Sequence, residues 1–173
     1  MHKDETEALK EFFRYNSYVR KKYLDAIGNL PKEEITRDRG ASFPSVLDIY
    51  AHVIDAIISW FAEYGLPMDH PEVRRRGSVH SIEELKAEER KMDAVVMKFV
   101  EGLTPTDLDK TFEDYDGQRK WNLTLRVMLW HLVEEELQHR GEINALMWQI
   151  DIDPPVTDWL DWKAQIGELK AVS

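Results

Sequence analysis

The segment LVEEELQHRGEI, Leu132 to Ile143, contains a carboxylate and an imidazole four residues apart, Glu135 and His139. On a helix that spacing turns through about 40° and climbs one turn, so the two side chains share a face. The same face carries Met128, Leu132, Ile143, Leu146 and Ile150, and is otherwise apolar. An ionised carboxylate in such a stripe is costly unless it is paired. A second helical stretch places His52 at the edge of a stripe formed by Ile49, Val53, Ala56 and Trp60. Two imidazoles and one carboxylate can hold a divalent ion with coordination positions left open, as a His2Glu zinc site or a facial iron site. The same residues can equally form a hydrogen-bonded Glu–His pair beside a satisfied core histidine, and spacing alone leaves both readings standing.

Other polar residues near these stripes are read more plainly. His131 falls about 80° from the stripe centre, which suits a supporting or core position. Asp48 and Asp55 flank His52 and could orient its ring, although helix capping already accounts for Asp48. Arg140 points about 100° away from the stripe, toward a local structural or interface role. His2, His70 and His80 fall at the N-terminus or in a connector and are assigned no role.

Positioning these groups requires four amphipathic helices. In the first, Leu9, Phe12, Phe13, Asn16, Val19, Tyr23 and Ile27 repeat at helical spacing before Gly28 and Pro31 end the run. After the polar connector PKEEITRDRGASFP, Ser45 and Asp48 form a capping box, and the second helix runs to about Gly65. Ser81 and Glu84 repeat the box ahead of the third, whose face carries Ile82, Leu85, Met92, Val95, Val96, Phe99 and Leu103. TFEDYDGQRKWNL then reads as a small hairpin about Asp116 and Gly117. Asn122 or Thr124 opens the fourth helix, which reaches about Ile150 before Pro154 and Pro155 stop it. Trp159 and Trp162 in the tail are expected to pack back onto the bundle. The fold expected is all-α, an up-down-down-up four-helix bundle with long connectors, built by residues 1–173 as a single domain.

Composition narrows the chemistry. The 173 residues contain no Cys, which removes disulfides, thiolate zinc cages and a cysteine nucleophile, so any ligands are N and O atoms. A formal net charge of -10 and a pI near 5.1 oppose nucleic-acid binding, and the basic triplet Arg74, Arg75 and Arg76 reads as solvated connector. The charged N-terminus and the lack of any apolar run near the roughly 20 residues of a membrane span point to a cytoplasmic protein without a membrane partner.

FFRYNSYVRKKYLDAIGNLPKEEI, SFPSVLDIYAHVIDAIISWF and HLVEEELQHRGEINALMWQIDIDPP resemble the first, second and last bundle helices of the DinB/YfiT-like superfamily. His52 matches the first metal-ligand position, and His139, Arg140 and Gly141 match the H-R-G signature. The usual pattern in the last helix is His-x-x-x-His, and this chain has Glu135 in place of the first. In this it is similar to the mycothiol-dependent maleylpyruvate isomerase branch, which pairs Glu-x-x-x-His with a His from the second helix.

The resemblance implies one divalent metal on His52, Glu135 and His139, with zinc first and nickel, iron or manganese as alternatives. It also implies an enzyme that activates a low-molecular-weight thiol, of S-transferase or isomerase type, or else water, acting on a small-molecule substrate. Tyr15, Asn16 and Arg20 on the first helix are the candidates for polarising that substrate, against a plain packing and hydrogen-bonding role. A homodimer fits the resemblance. The rival reading is a non-catalytic, metal-stabilised bundle serving as an interaction or stress-response protein. An open coordination position distinguishes the two.

Overall fold

The structure is a computed structural model and describes residues 4–68, 81–115 and 117–169. His2, His70, His80, the Arg74 to Arg76 triplet and Asp116 lie outside the described residues.

Helix starts follow the capping chemistry. α1 (Glu5–Gly28) opens on Asp4, which accepts from Thr6 N, and it ends just before Pro31. α3 (Val46–Glu63) opens on Ser45, whose Oγ accepts from Asp48 N at 3.2 Å and donates to Asp48 Oδ2 at 2.6 Å. α4 (Ile82–Glu101) is capped by Ser81, and α5 (Leu125–Trp148) by Thr124. Two short elements depart from the sequence reading. The polar connector after α1 contains α2 (Lys32–Thr36), and Pro105–Asp109 form a 3-10 turn closed by Thr104 and Asp107. Five residues span too few turns for a hydrophobic period to declare itself. α3 and α5 each stop two residues short of the ends expected at Gly65 and Ile150.

The hairpin is present. β1 (Thr111–Tyr115) pairs antiparallel with β2 (Lys120–Thr124), in register from Thr111 opposite Thr124 to Tyr115 opposite Lys120. Gly117 in its turn has φ +89°, a conformation that glycine adopts without steric cost. The short α6 (Trp159–Gln165) folds the tail back: Trp162 is buried, and the Trp159 ring lies 5.1 Å from Phe12 and 4.9 Å from Tyr15.

Helix directions follow from the paired residues. Arg14 meets Glu101 and Asp25 meets Lys86, so α1 and α4 run antiparallel. Glu5 meets Arg126 and Tyr23 meets Asn144, so α1 and α5 run parallel. His52 meets Glu135 while Trp60 meets His131, so α3 opposes α5. The four long helices are therefore up, down, down, up. No described helix is long and apolar enough to cross a membrane.

A cluster of charges is buried within the core. Arg20 of α1 is 2% exposed, and its guanidinium reaches Glu136 of α5 at 2.8 Å through both carboxylate oxygens and Asp93 of α4 at 2.7 Å. Glu89 of α4, 1% exposed, lies 3.5 Å from Arg20 Nε, and its Oε1 has no hydrogen-bond partner. Ser17 and Lys21 complete the shell around Asp93. Burial alone would lower the Arg20 pKa, but Glu136, Asp93 and Glu89 together raise it, so the guanidinium stays charged.

Glu89 responds in the opposite sense to a comfortable ion pair. Burial raises its pKa above the ordinary 4.5, and Arg20 only partly offsets this. A folded-state pKa above the unfolded one means that the folded chain holds the extra proton, so this group's contribution falls as pH rises upward from 4.5. Glu89→Gln removes that dependence and leaves every other titrating group in place. The unfolding free energy of the variant minus that of the parent is therefore expected to move in the variant's favour between about pH 5 and pH 8. Urea titrations at the two pH values check this, and a constant difference would refute it.

Candidate metal centre

α3 and α5 pack antiparallel, and this brings the three residues singled out by spacing to one point. His52 Nε2 lies 2.8 Å from Glu135 Oε1, and His139 Nε2 lies 3.2 Å from the same oxygen. The two imidazole rings meet edge to face at 4.9 Å. One donor atom from each residue falls within 4.8 Å of the others, close enough to hold one metal ion. Around a tetrahedral zinc with Zn–N and Zn–O bonds near 2.0–2.1 Å, neighbouring donors stand about 3.3 Å apart, so the two nitrogen-to-carboxylate distances need to lengthen by only a few tenths of an ångström. The donor set also matches in kind, since zinc takes imidazole nitrogen and carboxylate oxygen.

Electrostatics keep Glu135 suited to that role. Burial pushes its pKa up, but the hydrogen bond with His52 and the proximity of His139, His52 and His131 together hold it below the ordinary carboxylate value. It is therefore an anionic acceptor. The site also has a depth gradient: the His139 side chain is 5% exposed, that of Glu135 15% and that of His52 30%. One flank is thus packed and the other reaches solvent.

A second layer surrounds the triad. His139 Nδ1 lies 3.0 Å from Glu142 Oε2, and Phe43 stacks on His52 with ring centroids 4.2 Å apart. Phe43 is not reached by counting along either helix. Glu142 is three residues past His139, but its role depends on the distant segment containing Ser42 and Phe43. His131 is exposed, which corrects the core alternative. Its ring meets Trp60 at 5.4 Å, and with the exposed Glu134 it forms a second, outer group around Glu135. Asp48 is engaged by Ser45, as the capping box anticipates.

The three residues proposed to polarise substrate are placed differently. Tyr15 donates to Thr157 O at 2.5 Å and receives a bond from Arg140 at 3.0 Å, while Arg140 also reaches Asn16 Oδ1 at 2.9 Å. Arg140 thus braces α5 against α1, the local structural role expected of it. Arg20 belongs to the buried cluster with Glu136, Asp93 and Glu89. The bonds of all three run to bundle supports rather than to the triad.

Comparison with known proteins agrees with this architecture. The profile of the DinB family matches residues 1–168. A crystal structure of a DinB-like protein from Bacillus cereus superposes with a TM-score of 0.70 at 20% identity, covering 86% of this chain and 95% of that one. A DinB-like protein from Bacillus subtilis gives a TM-score of 0.58 at 15% identity, covering 86% and 98%. At these identities the likeness concerns the fold alone. No curated protein sequence matches the chain.

Proposed function

The chain belongs to the DinB family, and from that premise we propose that it is a metal-dependent enzyme that activates a low-molecular-weight thiol for transfer or isomerisation of a small-molecule substrate. The observation that carries the reading is the incomplete donor set. Among the described residues, His52, Glu135 and His139 form a group of three that no fourth His, Asp or Glu joins, and its His52 side chain is 30% exposed. Structural zinc sites are closed by four protein ligands, whereas catalytic sites keep a position free.

A divalent ion held there would lower the pKa of a thiol or water so that the nucleophile forms near neutral pH. The protein would supply the two imidazoles and the carboxylate, the packed wall on the His139 side and the Phe43 ring beside His52. The thiol must come from outside, since the chain has no Cys.

The test is turnover by protein loaded separately with zinc, nickel, iron and manganese, offered small thiols with an electrophile and, in parallel, activated esters without thiol. Thiol-dependent turnover that disappears in His52→Ala is the expected result. Ester cleavage independent of thiol would replace thiol activation with hydrolysis. A stoichiometric metal with neither activity would mark the centre as structural.

A further inference from the structure

Glu142 joins the candidate metal centre to a loop remote in sequence. Its Oε2 lies 3.0 Å from His139 Nδ1 and accepts from Ser42 Oγ at 2.6 Å, while its Oε1 accepts from Ser42 backbone N at 2.7 Å. The contact holds the ring so that Nδ1 faces Glu142 while Nε2 turns toward Glu135 and the triad.

Ser42 lies in a loop closed by the bond from Arg39 N to Pro44 O at 2.7 Å. The next residue, Phe43, covers His52 and meets the His139 ring edge-on at 5.9 Å. The loop therefore touches one imidazole directly and orients the other through a carboxylate that it clamps from its own backbone.

We propose that Glu142 is a positioning residue for His139 and that, through Ser42, it makes the loop of residues 39–44 a working part of the metal centre, so that ion binding and loop order reinforce each other. The coupling is reciprocal: whatever affinity the clamped loop adds for the ion, the bound ion returns as loop stability. This rests on the triad being a metal site, as proposed above.

The test uses the full chain with zinc as probe: affinity by chelator competition, the visible spectrum of the cobalt-substituted protein, and amide exchange at Ser42 with and without zinc. Glu142→Ala is expected to bind zinc roughly 10- to 100-fold more weakly, with an altered cobalt spectrum and a Ser42 amide that no longer slows on zinc addition. Glu142→Gln keeps one acceptor oxygen for three partners and is expected to fall between parent and Ala variant. Should Glu142→Ala fail to fold, Ser42→Ala removes one clamp bond and leaves the carboxylate, and a weaker affinity with reduced exchange protection is expected. Affinity within roughly threefold of the parent and an unchanged cobalt spectrum in Glu142→Ala would overturn the positioning role. Exchange at Ser42 indifferent to zinc in the parent would overturn the coupling. A parent that binds no zinc at all would instead sink the metal centre itself, an outcome seen before any variant is made.

Discussion

Purified Glu135→Gln protein is expected to contain little or no divalent metal, against about one ion per chain in the parent. The substitution keeps the size and most of the hydrogen-bonding capacity of the side chain while removing its charge. It therefore separates two roles. If Glu135 is inside because it pairs with His52 and His139, a neutral amide can still bond to either ring, and metal content need not change. If it is there as a ligand, the carboxylate supplies both a donor atom and the negative charge that offsets a dication, and Gln supplies the charge no longer. The loss should exceed the roughly 10- to 100-fold drop that follows from removing a supporting hydrogen bond around a metal. Glu135→His is the companion variant. A His at this position reproduces the His-x-x-x-His spacing, and metal binding is expected to return. Elemental analysis by plasma mass spectrometry decides both, and full metal content in Glu135→Gln would refute the ligand assignment.

The second large effect concerns the charge cluster between α1, α4 and α5. Arg20→Met is expected to destabilise the fold by about 3–5 kcal/mol, because it leaves Glu136 buried without its cation and Asp93 with Lys21 alone. Urea denaturation near pH 7 measures it. The exposed pair Arg14 with Glu101 provides the control: the same chemistry half in solvent should contribute about 0–1 kcal/mol. A further variant that replaces Arg20, Glu89, Asp93 and Glu136 together by apolar residues of similar size should recover much of the loss, since buried ion clusters are often no more stable than a packed core. An Arg20→Met protein within 1 kcal/mol of the parent would show that water reaches the cluster and screens it, about what a surface pair is worth.

These two sites were not equally legible. The capping boxes at Ser45 and Ser81 and the hydroxyl at Thr124 state helix starts in local chemistry, and the structure places α3, α4 and α5 at those points. Glu135 and His139 were visible because i, i+4 spacing is local too. The buried cluster is hard to see in the sequence because a charge at a stripe position looks like a break in the apolar period. The buried face of α5 runs Leu129, Leu132, Glu136, His139, Ile143 and Leu146, so its central acid is Glu136, while Glu135 sits at the margin. On α4 the sign was a gap: Leu85 and Met92 are both buried, and the position one turn after Leu85 is Glu89. On α1 the run Phe13, Asn16, Arg20 and Tyr23 likewise conceals a charge in a buried stripe. The pairing of Glu142 with His139 is an i, i+3 step open to a local rule, but its clamp, Ser42, is 100 residues away and beyond any such rule.

The cluster also bears on the order in which the chain assembles. Its members come from positions 20, 89, 93 and 136, so it closes only after the chain has doubled back across both long connectors. Before that closure Glu136 keeps its water, and the partners that Asp93 finds on α1 do nothing to compensate for stripping it away. Desolvation therefore belongs late on the folding coordinate, after the apolar stripes have brought the helices together. Interactions absent from the transition state act on the rate of opening rather than the rate of closing. The charges at the centre of this bundle thus serve as a bolt: they do little to speed the helices into place, and they set how long the assembled protein stays shut.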